Sequence, residues 1–279
     1  MWRVCSFDFD QNRYANSTRT QFMNWGLFNN TAWDFAGDTR AYTWGTAVVW
    51  VEPRWILRVG TFLMPTMANG NVFDMNFPRA RADNVELTIR PGSRGTVIRA
   101  LVYENRARMG SYAEALALAA GGTPDIVADD RPGRTKTGAG LNVEQPLGDG
   151  GETGLFGRVG WNDGRNEDFV FTEVDRHLSG GLQLAGVHWR RAADRVGIAY
   201  VLHGLSSDHR AYLTAGGQGF LLGDGRLRYG QEGIFEGYYR AQVGPYVQVG
   251  PDVQWIHNPG YNRDRGPAAV VSLRLNVRY

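Results

Sequence analysis

Ala268-Ala269-Val270-Val271-Ser272-Leu273-Arg274-Leu275-Asn276-Val277-Arg278-Tyr279, the end of the 279-residue chain, decides its architecture. Odd positions from Ala269 to Tyr279 are small or apolar, whereas Ser272, Arg274, Asn276 and Arg278 between them are polar. Side chains of a β-strand alternate between faces with period two, so this stretch is a strand with one apolar face. At roughly 3.3 Å per residue it is about 40 Å long. Tilted by about 45°, it crosses about 28 Å, close to the apolar band of an outer-membrane barrel. Strands of soluble domains average roughly five or six residues, so its length alone sets it apart.

The alternation recurs upstream. Val247, Val249, Val253 and Trp255 alternate with Gln248, Gly250, Asp252 and Gln254, and Val85, Leu87 and Ile89 with Glu86, Thr88 and Arg90. Ile98, Ala100 and Val102 interleave with Arg99, and Leu141 and Val143 with Asn142 and Glu144. Weaker versions occupy 2–9, 40–51, 54–64, 152–163, 178–190, 195–205 and 231–243, giving about twelve strands. The links between them are short at Glu52-Pro53, 91–94, 148–151, 191–194 and Gly244-Pro245. They are long at 10–39, 65–83, 105–135, 164–177, 206–230 and 258–266.

A meander with tight turns at one end and long loops at the other is the plan of an all-β, antiparallel transmembrane β-barrel, with short periplasmic turns and long extracellular loops. Hydrocarbon satisfies no backbone hydrogen bond, so a sheet crosses it only when its edges are closed. Twelve is even and compatible with such a ring. Gly250-Pro251 is expected to mark a bulge or bend, because proline donates nothing to the ladder.

Composition narrows the alternatives. The 37 glycines follow no Gly-X-Y period, and nine Trp, twelve Tyr and thirteen Phe argue against disorder. No run of 18 apolar residues exists, so no transmembrane helix is expected. Cys5 stands alone, which excludes an internal disulfide framework and a thiolate-cluster metal site. A formal charge of +2 implies no nucleic-acid partner. Lys136 is the single lysine among 30 basic residues.

Several long, unusually composed stretches carry a resemblance. They include Phe7-Asp8-Phe9-Asp10, Arg13-Tyr14-Ala15-Asn16-Ser17, Thr20-Gln21-Phe22-Met23-Asn24-Trp25 and Asp38-Thr39-Arg40. Met64-Pro65, Ala68-Asn69-Gly70, Gly160-Trp161-Asn162-Asp163-Gly164, Phe171-Thr172-Glu173-Val174-Asp175-Arg176 and Gly204-Leu205-Ser206-Ser207-Asp208-His209-Arg210 extend it. Gly223-Asp224-Gly225, Pro251-Asp252 and Asn258-Pro259-Gly260-Tyr261-Asn262-Arg263-Asp264-Arg265-Gly266-Pro267 complete it. With these the chain resembles the carbohydrate-selective (OprB-type) porins along essentially its whole length.

The resemblance implies a water-filled channel in the bacterial outer membrane for passive uptake of carbohydrates and other small hydrophilic solutes, with no cofactor. It implies a barrel of about sixteen strands behind a signal peptide. Met1-Trp2-Arg3-Val4 shows no leader. The expectation is therefore one barrel domain over 1–279, forming the C-terminal three-quarters of a longer porin. Outer-membrane lipid, the barrel assembly machinery engaging the strand that ends at Tyr279, and further copies of the chain are the expected partners.

Strand parity assigns the lumen and solute path to Arg58, Glu86, Arg90, Arg99, Glu144, Arg158, Glu236, Arg240, Asp252 and Arg274, with Asn142, Gln242, Gln248 and Gln254 among them. Guanidinium forks, carboxylates and amides all exchange hydrogen bonds with sugar hydroxyls. The bland alternative is that these charges merely pair across strands. The loop from Asn12 to Gly37 mixes amides with rings, and Asn24, Trp25, Asn29, Asn30 and Trp33 are its candidate constriction and sugar-stacking residues. It is expected to fold into the barrel, the alternative being that its aromatics only pack the loop down. Trp50, Trp55, Trp161, Trp255 and Tyr279 lie near strand ends and are expected to form interfacial girdles.

Enzymatic signals are weak. Ser206, Ser207, Asp208 and His209 are contiguous, which suits a helix cap better than a triad, and a short loop helix is expected over 208–215. Residues 112–120 have helical composition and suggest a second loop helix. His177, His188, His203, His209 and His257 show no ligand spacing, so no metal site is expected. An alternative function is a barrel acting as a surface adhesin or barrel enzyme, which a lumen plug would favour.

Overall fold

The computed structural model describes residues 3–5, 8–169 and 172–278, with backbone alone at 3–5. Phe7, Phe171 and Tyr279 of the sequence motifs lie outside the described residues. Twelve strands follow one another as β1 (Arg3–Cys5), β2 (Tyr42–Val51), β3 (Trp55–Leu63), β4 (Arg81–Ile89), β5 (Val97–Met109) and β6 (Arg131–Pro146), then β7 (Gly154–Asn162), β8 (Arg176–Ala185), β9 (Arg195–Gly204), β10 (Glu232–Val243), β11 (Val247–His257) and β12 (Ala268–Val277). Each pairs antiparallel with its neighbour in sequence, and spatial order equals chain order. The short and long connections alternate as expected. Among the described residues no helix is long and apolar enough to cross a membrane.

The pleat sorts the side chains. In β12 Leu273 and Leu275 are 75% and 68% exposed on the outer face, whereas Ser272, Arg274 and Asn276 are half-buried on the inner one. In β7 Leu155, Val159 and Trp161 face out while Phe156, Arg158 and Asn162 are buried. Among the described residues no second sheet or helical layer covers the outward Val85, Leu87, Val102, Leu141, Val253 and Trp255. A band of apolar side chains this large is stable when it faces lipid and aggregates in water.

Two expectations need correction. The register between β11 and β12 runs without a shift through Gly250↔Arg274, Pro251↔Leu273 and Asp252↔Ser272, so Pro251 makes no bulge. With β10 the pairing is interrupted between Tyr238↔Asp252 and Ala241↔Val249, then resumes in the same register. There the missing proline N–H removes a ladder bond without displacing the strand. The second correction concerns a ring closed by twelve strands. Among the described residues β1 pairs only with Tyr42–Trp44 of β2, and β1 and β12 do not pair with each other. Among the described residues, therefore, the twelve strands form one sheet in which no β1–β12 pairing closes a ring.

The buried core lies inside the wall, against the segment that runs from Asp8 to Ala41. Phe9, Trp33 and Phe35 of that segment pack on Phe62, Leu101 and Tyr103 of the strands. Tyr14, Phe22 and Leu27 pack on Phe156, Val201 and Tyr238. Loop helices α1 (Trp25–Phe28), α2 (Tyr112–Ala119) and α3 (Ser207–Thr214) complete the fold, and α3 is capped by the Ser206 hydroxyl accepting from the His209 N–H at 3.1 Å. That cap is the one the sequence anticipates.

Candidate functional site

The inner segment is held by charges pointing inward from the strands. Asp10, with a left-handed φ of 55°, turns the chain into the lumen. Its N–H donates to Glu86 Oε2 at 2.6 Å, and its carboxylate accepts from Asn142 Nδ2 and the Asn30 N–H, both at 2.7 Å. Arg158 Nε lies 3.0 Å from the same carboxylate, and the guanidinium donates to Ala15 O at 2.8 Å and Leu27 O at 3.0 Å. One arginine thereby pins three points of the segment.

The clamps continue around the wall. Glu144 accepts the Arg13 N–H at 2.6 Å and pairs with Arg99 at 3.4 Å. Glu236 accepts the Asn24 N–H at 2.9 Å, and Gln254 accepts from Asn24 Nδ2 at 3.0 Å. Arg240 donates to Thr20 O at 2.9 Å. Arg274 donates to Gln21 O while pairing with Asp252 at 3.0 Å, and Arg58 braces Glu86 at 3.0 Å. Strand glycines make room for the segment. A Cβ on Gly160 would strike Asn30, and one on Gly154 would strike Tyr14.

Parity therefore places these residues on the lumen side, and the structure adds their role. Arg58, Glu86, Arg99, Glu144, Arg158, Glu236, Arg240, Asp252 and Arg274 hold the segment directly or through a partner. Arg90 differs: it follows β4 in an exposed turn, where its N–H donates to Arg54 O. Backbone partners inside the barrel leave no pattern in the sequence, so parity predicts facing but not occupancy.

Among the five constriction candidates the structure separates anchors from surface. Asn29 and Asn30 are buried, and Trp33 is buried with Nε1 donating to Asn84 Oδ1 at 3.0 Å. Asn30 lies against Gly140 and Gly160 and Trp33 against Asn84 of the wall, so these three constriction candidates, all buried, present no exposed face on which a sugar could stack. Asn24 caps α1 by accepting the Gly26 N–H at 2.9 Å. Trp25, by contrast, is 57% exposed. It borders a cavity of about 510 Å³ lined also by Asn16, Arg19, Phe35, Asp38 and Arg40. The segment fills part of the lumen and leaves this space beside it. Asp10 carried no signal in the sequence beyond the Phe7-Asp8-Phe9-Asp10 motif, and Arg19 none beyond its place in the loop from Asn12 to Gly37.

The tryptophans fall at both ends of the wall. Trp50 and Trp55 pack together at 5.9 Å beside the short β2–β3 turn. Trp161, with Arg176 over its ring at 5.4 Å, and the exposed Trp255 lie toward the long loops.

Above the wall, the β7–β8 and β9–β10 loops meet in a buried charge cluster. Lys136 pairs with Asp168 and lies 3.8 Å from Asp34, while His209 Nδ1 lies 3.0 Å from Asp175 Oδ2. Burial pushes the Asp168 carboxyl well above the usual carboxylate range. For Asp175 burial acts the same way, but the His209 imidazole and its hydrogen bond outweigh it and hold the carboxyl down at about 2. Nearby Glu167 is pushed up to about 8 by burial. His209 thus partners Asp175, not the adjacent Asp208, and Ser206 Oγ donates to Gly164 O at 2.7 Å. The contiguous Ser-Ser-Asp-His run makes a cap and a loop anchor, with no triad geometry.

His177 and His203 also meet across β8 and β9, both bonded to Thr31 Oγ1, at 2.7 and 3.0 Å. Separations of 26 positions in this pair and of 34 between Asp175 and His209 concealed both sites from any spacing rule.

Comparison with known proteins agrees with the architecture. A solved structure, the high-pH structure of Pseudomonas putida OprB, is similar with a TM-score of 0.74 at 18% identity, covering 99% of this chain and 68% of that one. No curated protein matches significantly. The family described as carbohydrate-selective porin, OprB family, matches residues 2–279. By that match, which spans nearly every residue, and by its inward clamps and outward apolar band, the chain belongs to the OprB family of carbohydrate-selective porins.

Proposed function

We propose that the chain passes carbohydrates and other small hydrophilic solutes by passive diffusion through the cavity beside Trp25. As an OprB-family protein it is a porin and not an enzyme, and porins of this family reside in the outer membrane. The observation that carries the finer reading is the half-open Trp25 ring facing a cavity with Asn16, Arg19 and Arg40 on its lining. A flat apolar face suits the C–H side of a sugar, and the amide and guanidinium groups suit its hydroxyls.

The clamp residues then act by positioning, since each polar group that holds the segment sets where Trp25 stands. The outward face of the strands meets lipid, the last strand is the one offered to assembly machinery, and further copies pack through the apolar band.

Planar-bilayer conductance of the full chain, with and without glucose and maltose, tests this reading. Sugar is expected to block the current in a saturable way, and Trp25→Ala to weaken that block about tenfold while leaving a conducting pore. Unaltered current across the sugar panel would reduce the protein to a general diffusion pore.

A further inference from the structure

We infer that Asp168, Asp175 and His209 form a binding site for one divalent transition-metal cation, such as Zn²⁺, that staples the β7–β8 loop to α3 above the channel.

All three side chains are fully buried, and one donor atom from each lies within 4.8 Å of the others. His209 Nδ1 is 3.0 Å from Asp175 Oδ2 and 3.8 Å from Asp168 Oδ2. Zinc bound tetrahedrally at about 2.0–2.1 Å requires ligand atoms roughly 3.3 Å apart, so the two observed separations bracket the required one. Carboxylate oxygens with imidazole nitrogen form a ligand set common for this class of ion.

Two independent observations point to a cation. The first is hydrogen-bond accounting. Asp168 Oδ2 and Asp175 Oδ1 are buried acceptors with no hydrogen-bond donor, and His209 Nε2 is likewise unpartnered. An orphaned buried polar atom is destabilising, and more so when charged. The second is charge. The Asp168 and Asp175 carboxyls converge on one point, with the Lys136 ammonium on Asp168 Oδ1 and the His209 imidazole between the two carboxyls. A divalent ion at that point sets positive charge against both carboxylates.

Lys136 does not occupy the proposed position, because its ammonium sits on Asp168 Oδ1 and leaves Oδ2 toward the histidine. The Ser206 N–H holds Asp175 Oδ2 at 2.7 Å, and the Tyr112 ring stacks on His209 at 4.2 Å, so the donors are oriented by their surroundings. With its proton on Nε2, the imidazole offers Nδ1 as a ligand.

The test uses the full chain in detergent, stripped with EDTA and dialysed against Zn²⁺, with elemental analysis of the bound metal. One zinc per chain is expected, with a higher melting temperature that EDTA reverses. His209→Gln and Asp168→Asn should each weaken binding at least tenfold, whereas His257→Gln should leave it unchanged. Should the variants fail to fold, Co²⁺ bound to the parent must show a visible spectrum typical of nitrogen and oxygen ligation. Substoichiometric zinc in the parent, or equal binding after loss of His209, would overturn the site.

Discussion

At the scale of single residues, facing and role are separate properties. Arg274 faces the lumen, as the alternation in Leu273-Arg274-Leu275 requires. Parity alone predicts that Arg274→Leu leaves stability nearly intact and changes only conductance or ion preference. The structure revises that expectation, because the guanidinium pairs with buried Asp252 at 3.0 Å and holds Gln21 O. Removing one partner of a buried pair costs about 3–5 kcal/mol, and with the Arg274 side chain 16% exposed and Asp252 fully buried this case falls in that range. Leu275→Arg on the opposite face should cost roughly 2–4 kcal/mol near the bilayer midplane. Urea titration of refolding into vesicles should therefore find both variants destabilised, with altered sugar block in Arg274→Leu alone. Wild-type stability in both would overturn the facing and the clamp together.

Glu167 gives a pH-dependent case. Burial raises its carboxyl from 4.5 to about 8 in the fold. The group therefore contributes stability that is complete below about 4.5 and lost as pH rises through about 8. Glu167→Gln keeps a carbonyl for the Gly110 N–H, which Glu167 Oε1 accepts at 3.1 Å. The variant should melt progressively above the parent between pH 5 and pH 9. Parallel melting curves across that range would show that Glu167 ionises without penalty.

At the scale of elements, strands and loop helices were legible and the inner segment was only half so. Period-two alternation located every strand because each strand contacts lipid on one side and the lumen on the other. Helical composition over 112–120 marked α2, and the Ser206-Ser207 run marked the start of α3. Pro251 misled because a missing donor does not force a bulge where the neighbouring strands keep register. Asn29, Asn30 and Trp33 misled for another reason: amides and rings suit a sugar site and a tightly packed anchor equally well. The burial of all three, with Asn30 against Gly140 and Gly160 and Trp33 on Asn84, decides between the two.

At the scale of the whole molecule, the channel depends on a segment fixed by ties of long sequence range. Asp10 joins β4, β6 and β7 through Glu86, Asn142 and Arg158. Asp10→Ala should loosen the segment, raise single-channel conductance and weaken sugar block, with the strand content by circular dichroism retained. Unchanged conductance would show that the aromatic contacts of Phe9, Tyr14 and Phe22 suffice to hold it.

The amino-acid sequence by itself determined the strands, the alternation of short and long connections and the two faces of the wall, because pleat and turn chemistry are local. Tertiary structure alone decided what occupies the lumen. It seats Asn24 on Glu236 across 212 positions and brings Asp168 and Asp175 to His209. An inward polar side chain has the same parity whether it meets water, a sugar or a backbone N–H, and only the folded path of the chain selects among them.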